Sequence, residues 1–196
     1  MITRIRIAVF KLLDASYFLK FLLRLFAFYL LFRSINWLCV ALITPEGYYS
    51  SFIDHYLDYV TALKLSILHT ASFFAQLFDV PSHLVTESLI ETKNGGQLYM
   101  EWACCGLEIM SFWAAFALAD TTPLSTKFKW CIGGLLSIWM INCIRVMFLL
   151  LATENHWQTF LHLDHHQLFN IVGYSFVFLL MLIYYRNNKS HLGING

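Results

Sequence analysis

The sequence predicts an all-α polytopic membrane protein, a helical bundle of about four to five transmembrane helices that carries a small extracytoplasmic β-hairpin. Three observations predict it. Apolar residues make up 59% of the 196 and charged residues only 13%, about half the charged fraction of a soluble domain. Four stretches, 21–43, 103–119, 130–151 and 167–185, are apolar enough for the helix of about 20 residues that crosses roughly 30 Å of hydrocarbon. Between the first two, HLVTESLIETKNGGQLYMEW alternates apolar and polar residues on either side of Asn94-Gly95-Gly96, which reads as a hairpin over 84–100 because Asn-Gly supplies the positive φ of a tight turn. No repeat or Pro-rich linker divides the chain, so 1–196 reads as a single integral membrane domain.

The elements follow in order. The N-terminal arm is basic and apolar, as a signal peptide would be, but no small-residue cleavage pattern follows it, so it reads as retained. The first span carries Arg24 and Arg33, which are expensive at mid-membrane unless they snorkel or face protein. Segment 52–79 is helical in pattern yet punctuated by Asp54, His55, Asp58, Lys64 and His69, so it is an interfacial or re-entrant helix or an additional span. Trp102, Trp130, Trp157 and Tyr184 lie near helix ends, where interfacial anchors are common.

Charge placement orients these elements, since cytoplasmic loops collect Lys and Arg. Arg4, Arg6, Lys11 and Lys20 precede the first span, Lys127 and Lys129 lie between the second and third, and Arg186 and Lys189 follow the last. These belong inside. Segment 45–102 holds seven acids, Glu46, Asp54, Asp58, Asp79, Glu87, Glu91 and Glu101, against Lys64 and Lys93, and 152–165 has Glu154 and Asp164 without Lys or Arg. These belong outside, in a multi-pass protein of the cytoplasmic (inner) membrane. The net charge of +1 gives no reason to expect nucleic acid as a partner. Cys39, Cys104, Cys105, Cys131 and Cys143 are odd in number and mostly within apolar stretches, unlike a disulfide framework.

That topology brings Cys104, Arg145 and His166 from three helices to one level near the extracytoplasmic face. A guanidinium in LLSIWMINCIRVMFLLLA normally faces a partner or a water-filled cavity, although an arginine that snorkels to headgroups would read alike. Asn142, one turn earlier on the same face, is a polar neighbour that snorkelling does not require. A thiol near a cation and a histidine can ionise and attack a carbonyl, and the unperturbed histidine pKa near 6.5 suits an acid or base. Alone, Cys104 would read as a small buried hydrophobe and His166 as an interfacial polar residue.

ACCGL at 103–107, NCIR at 142–145 and HQLFN at 166–170 together resemble the exosortase and archaeosortase family of membrane transpeptidases, in its short members. The resemblance covers roughly 45–185. It implies Cys104 as nucleophile, Arg145 as cationic stabiliser and His166 as acid or base, with Cys105 where a serine is usual and Asn170 where glycine is common. A register shift to Cys105 or His165 would swing the side chain by about 100°. The implied reaction is cleavage of a C-terminal sorting signal on exported proteins through a thioester, without metal or organic cofactor. The implied substrates carry a short motif, a hydrophobic helix and a basic tail. Glu108, one turn after Cys104, is expected to pair with Arg145, either orienting it or simply neutralising it, and Asp164 either to orient His166 or to be solvated.

Two other readings compete. His162, His165 and His166 match the HxxHH box of membrane desaturases, but such di-iron sites draw on about eight histidines, and His55, His69, His83, His156 and His191 form no second box. The polar intramembrane residues could instead hold together a non-catalytic scaffold. A scaffold tolerates Cys104→Ala, and a metal enzyme responds to chelation.

Overall fold

The computed structural model describes the backbone of residues 2–45, 47–155 and 165–188, and side chains within 18–45, 47–155 and 171–187. In chain order it forms α1 (Ile2–Ile43), α2 (Ser51–Tyr56), α3 (Tyr59–Gln76), strands β1 (Ser82–Leu84), β2 (Leu89–Thr92) and β3 (Gln97–Tyr99), a 3₁₀ turn (Trp102–Cys105), α4 (Leu107–Ala119), α5 (Leu124–Glu154) and α6 (His165–Asn188).

Phe18–Ile43 and Leu124–Glu154 are long and apolar enough to cross a membrane, while α4 and Ile171–Asn187 are apolar but shorter. At 1.5 Å per residue α5 is about 46 Å long, enough for the hydrocarbon and both headgroup layers. Phe18, Leu23, Phe26, Leu136 and Phe178 are each about 60% exposed. Such a belt is costly in water and neutral against lipid.

Side-chain pairs set the helix directions. Phe21 meets Phe116 and Tyr29 meets Phe112, so α1 and α4 run antiparallel. Gly134 lies under Trp113 while Asn142 reaches Cys105, so α5 is antiparallel to α4. Gly173 faces Ile109 and Tyr184 packs on Phe116, so α6 runs parallel to α4. The C-terminal end of α1, the late part of α5, the 3₁₀ turn and the start of α6 therefore share one end of the bundle.

That end bears α3 and the sheet. Segment 52–79 is two helices, broken where Asp58 leaves helical geometry and its carboxylate accepts the Thr61 N–H at 2.8 Å, an N-cap of the kind worth about 1 kcal/mol. α3 buries Ile67, Leu68, Ala71 and Ala75 in a core shared with Ile90, Cys105, Cys143 and Leu150. Trp139 Nε1 donates to Ser66 Oγ at 3.0 Å, fastening α3 to α5.

The hairpin forms where Asn94-Gly95 predicts it, with Gly95 at φ 84°, and β2 pairs with β3 in antiparallel register Ile90 to Leu98. The structure adds β1, which pairs with β2 on its other edge, making a three-stranded sheet. The turn is fastened to the end of α5, since Asn94 Nδ2 donates to Glu154 Oε1 at 2.6 Å and a side chain at Gly96 would meet Thr153.

At the opposite end, Tyr184 is not an interfacial anchor. It is 3% exposed, its hydroxyl donates to Asp120, and its ring packs edge-on against Trp130 at 5.3 Å. The expectation for Trp157 falls outside the described residues. Close by, Trp113 is fully buried and donates from Nε1 to the Trp130 carbonyl at 3.1 Å. A Cβ at Gly134 would lie 1.8 Å from that nitrogen, so the α4–α5 crossing depends on glycine. Gly134→Ala is expected to destabilise the bundle by about 1–3 kcal/mol, the usual cost of overpacking, and to lower the melting temperature of the detergent-purified protein, with partial recovery in the Gly134→Ala/Trp113→Phe double variant. An unchanged melting temperature would contradict this packing.

Candidate active site

Cys104 lies in the 3₁₀ turn before α4, not within the helix; α4 starts at Leu107 rather than 103. The reason is Gly106, which caps the turn at φ 77°, a left-handed conformation that a residue with a Cβ adopts only at a cost of about 1–2 kcal/mol. Glycine is also required by contact. A Cβ there would lie 2.2 Å from Asn142 Nδ2, because the Asn142 amide passes over Gly106 to donate to the Cys105 carbonyl at 3.1 Å. Asn142 is 7% exposed, so its partner is protein and not solvent. A polar residue on α5 thus pins the turn that presents Cys104.

The two adjacent cysteines differ sharply in access. Cys105 is fully buried, with its Sγ 3.6 Å from the Glu101 carbonyl oxygen. Cys104 is half-buried against the core beneath the sheet. Lys64 from α3 and Arg145 from α5 each lie close enough to act electrostatically on Cys105.

Beside the turn is a cavity of about 480 Å³, walled by Trp102, Ala103, Gly106, Asn142, Arg145 and Phe148, with Val172, Gly173 and Tyr174 of α6 closing one side. Arg145 thus borders this space, together with the residues immediately before and after the Cys104–Cys105 pair. On the other side of the turn a second cavity, of about 860 Å³, is lined by the end of α1, α2, α3 and the sheet, and includes Lys64, Asp58 and Glu101. Trp102 belongs to both walls.

The ion pair that Glu108 makes is with α1 rather than with the expected Arg145 of α5. Glu108 Oε1 lies 3.6 Å from Arg33 Nη2 of α1, and Arg33 also donates to the Tyr29 hydroxyl at 3.3 Å. The carboxylate thus satisfies the costly arginine of the first span, although Glu108 and Arg145 border the same cavity. The backbone of His165 and His166 opens α6 at the site end of the bundle; their side chains, Asp164 and the His162–His166 run as a metal box lie outside the described residues.

Residue-by-residue reading of the sequence missed three contributors. The role of Gly106 was written in the Cys-x-Gly spacing, whereas the approach of Lys64 and the pairing of Arg33 with Glu108 depend on helices distant in sequence and leave no local signal. Comparison with known proteins adds one finding: the family model described as transmembrane exosortase (Exosortase_EpsH) matches residues 20–183. No significant match is found among curated proteins or solved structures.

Proposed function

Because the chain belongs to the transmembrane exosortase family, we propose that it is a membrane-embedded cysteine transpeptidase that removes C-terminal sorting signals from exported proteins at the extracytoplasmic face of the cytoplasmic membrane. The observation that carries this reading is the 3₁₀ turn: Gly106 and Asn142 hold Cys104 on a fixed loop whose flanking residues, with Arg145, wall one cavity.

In this reading the Cys104 thiolate attacks the carbonyl carbon of the scissile peptide, the tetrahedral oxyanion collapses, and the C–N bond breaks as the leaving amine takes a proton. His166 delivers that proton and later deprotonates the acceptor. Attack of an acceptor nucleophile or water on the thioester releases the new C-terminus and restores the thiolate beside protonated His166. Arg145 serves the negative charge on sulfur or on the oxyanion. Asn142 is a positioning residue, since its amide is used on the Cys105 carbonyl. The chemistry draws on no metal or organic cofactor. The partners are exported proteins whose tail combines a short motif, a hydrophobic helix and a basic end.

One positioned donor to an oxyanion contributes roughly 3–4 kcal/mol, so Arg145→Ala is expected to slow processing about 10²–10³-fold, with Arg145→Lys intermediate. The test is the rate of tail removal from a co-expressed exported membrane protein, at matched abundance of the variants. Equal rates in wild type and Arg145→Ala would remove Arg145 from the chemistry, and a chain that tolerates every site substitution would be a scaffold.

A further inference from the structure

A third cavity, of about 290 Å³, lies between α1 and α6 over the face of α4, lined by Tyr29, Phe112, Val177, Phe178 and Met181. It shares Glu108, Ile109 and Tyr174 with the cavity that borders Arg145. The two adjoin over α4 as one slot whose larger part borders the 3₁₀ turn. The lining of the smaller part is apolar and aromatic apart from Glu108, whose ion pair with Arg33 leaves 56% and 58% of the two side chains exposed, and the larger part adds Asn142 and Arg145. An open ion pair beside hydrocarbon is costly, so whatever fills the slot should offer polar groups at that depth.

A lipid acyl chain fits the apolar lining but gives the carboxylate nothing. A polypeptide helix gives it a great deal. The first four N–H groups of a helix have no partner within the helix and carry its partial positive charge, and a carboxylate is the natural counterpart of both. We infer that the slot between α1 and α6 receives the transmembrane helix of the polypeptide being processed, and that Glu108, oriented by Arg33, meets the N-terminal end of that helix and sets its depth. The residues preceding the helix would then continue past Glu108 into the cavity beside Arg145. This rests on the proposed function for the identity of the occupant, and Glu108 and Arg33 are positioning residues in it.

The test uses the full-length membrane protein with Cys104→Ala, which holds a substrate without cutting it, and a photo-crosslinking phenylalanine analogue at Phe112, at Phe178 or, as a control, at Leu136. Leu136 is 59% exposed and lines neither cavity. Crosslinks to a tail-bearing exported protein at least tenfold stronger from Phe112 and Phe178 than from Leu136 are expected. In an otherwise wild-type chain, Glu108→Gln with Arg33→Gln is expected to spread the cut over several positions within about one helical turn, read from the C-terminal masses of the product. Processing of the same protein by the wild type is scored in parallel. Slot crosslinks without any processing would sustain the docking site and sink the transpeptidase. Processing with crosslinks mainly from Leu136, or a cut position unmoved in the double variant, would overturn the slot or its depth setting respectively. No crosslinks and no processing would count against both.

Discussion

Gly106→Ala is expected to cost about 2–5 kcal/mol and to abolish processing, the largest effect of any single methyl group in this protein. Two penalties add. The left-handed backbone at φ 77° costs a residue with a Cβ about 1–2 kcal/mol. The new methyl would occupy the place of the Asn142 amide, 2.2 Å from its nitrogen, and displacing that amide leaves a buried donor and the Cys105 carbonyl unsatisfied, at about 1–3 kcal/mol. Adding Asn142→Ala opens the space but not the backbone conformation. The double variant is therefore expected to recover expression and melting temperature in part, and activity not at all, because the turn has lost its tie to α5. Full activity in Gly106→Ala would show that the turn's geometry is not needed.

Cys104→Ala is expected to eliminate processing while leaving the melting temperature within a degree or two, whereas Cys105→Ala is expected to lower stability modestly and leave processing within a few-fold. The reason is position. Cys105 is fully buried among Ile67, Leu68 and Leu150, so truncating it to Ala deletes a buried sulfur from a close-packed core and leaves the chemistry alone. Cys104 is only partly buried at the edge of that core, and is the more accessible of the two thiols. Alkylation with a membrane-impermeant maleimide provides a second readout. Label is expected in the wild type and in Cys105→Ala and absent from Cys104→Ala. The reverse pattern would move the nucleophile by one residue.

How much of this was legible in the sequence follows from the range of the interactions. The two long apolar helices were legible because hydrophobic length is a local property. The hairpin was legible because Asn94-Gly95 encodes a turn that only a few residues favour. The first strand was not, since Ser82–Leu84 is three residues long and pairs only because α3 delivers it beside β2. Apolarity continuous from 103 hid the 3₁₀ turn, which is decided by one left-handed glycine. Glu108 could be placed one turn below Cys104 but not matched to Arg33, because the pairing of α1 with α4 joins residues 75 apart in chain position. Tyr184 resembled an interfacial aromatic for the same reason; the buried Asp120 that accepts its hydroxyl hydrogen bond is on another connection.

The central claim is that a thioester forms on Cys104. Its most direct measurement is the intact mass of the purified membrane protein, quenched in acid during incubation with a tail-bearing exported protein and mapped by proteolysis. The expected result is an adduct on the fragment that contains Cys104, equal in mass to the tail-less substrate less one water, removed by neutral hydroxylamine and absent from Cys104→Ala. Removal of the tail by Cys104→Ala at the wild-type rate, with no adduct on either chain, would contradict the claim.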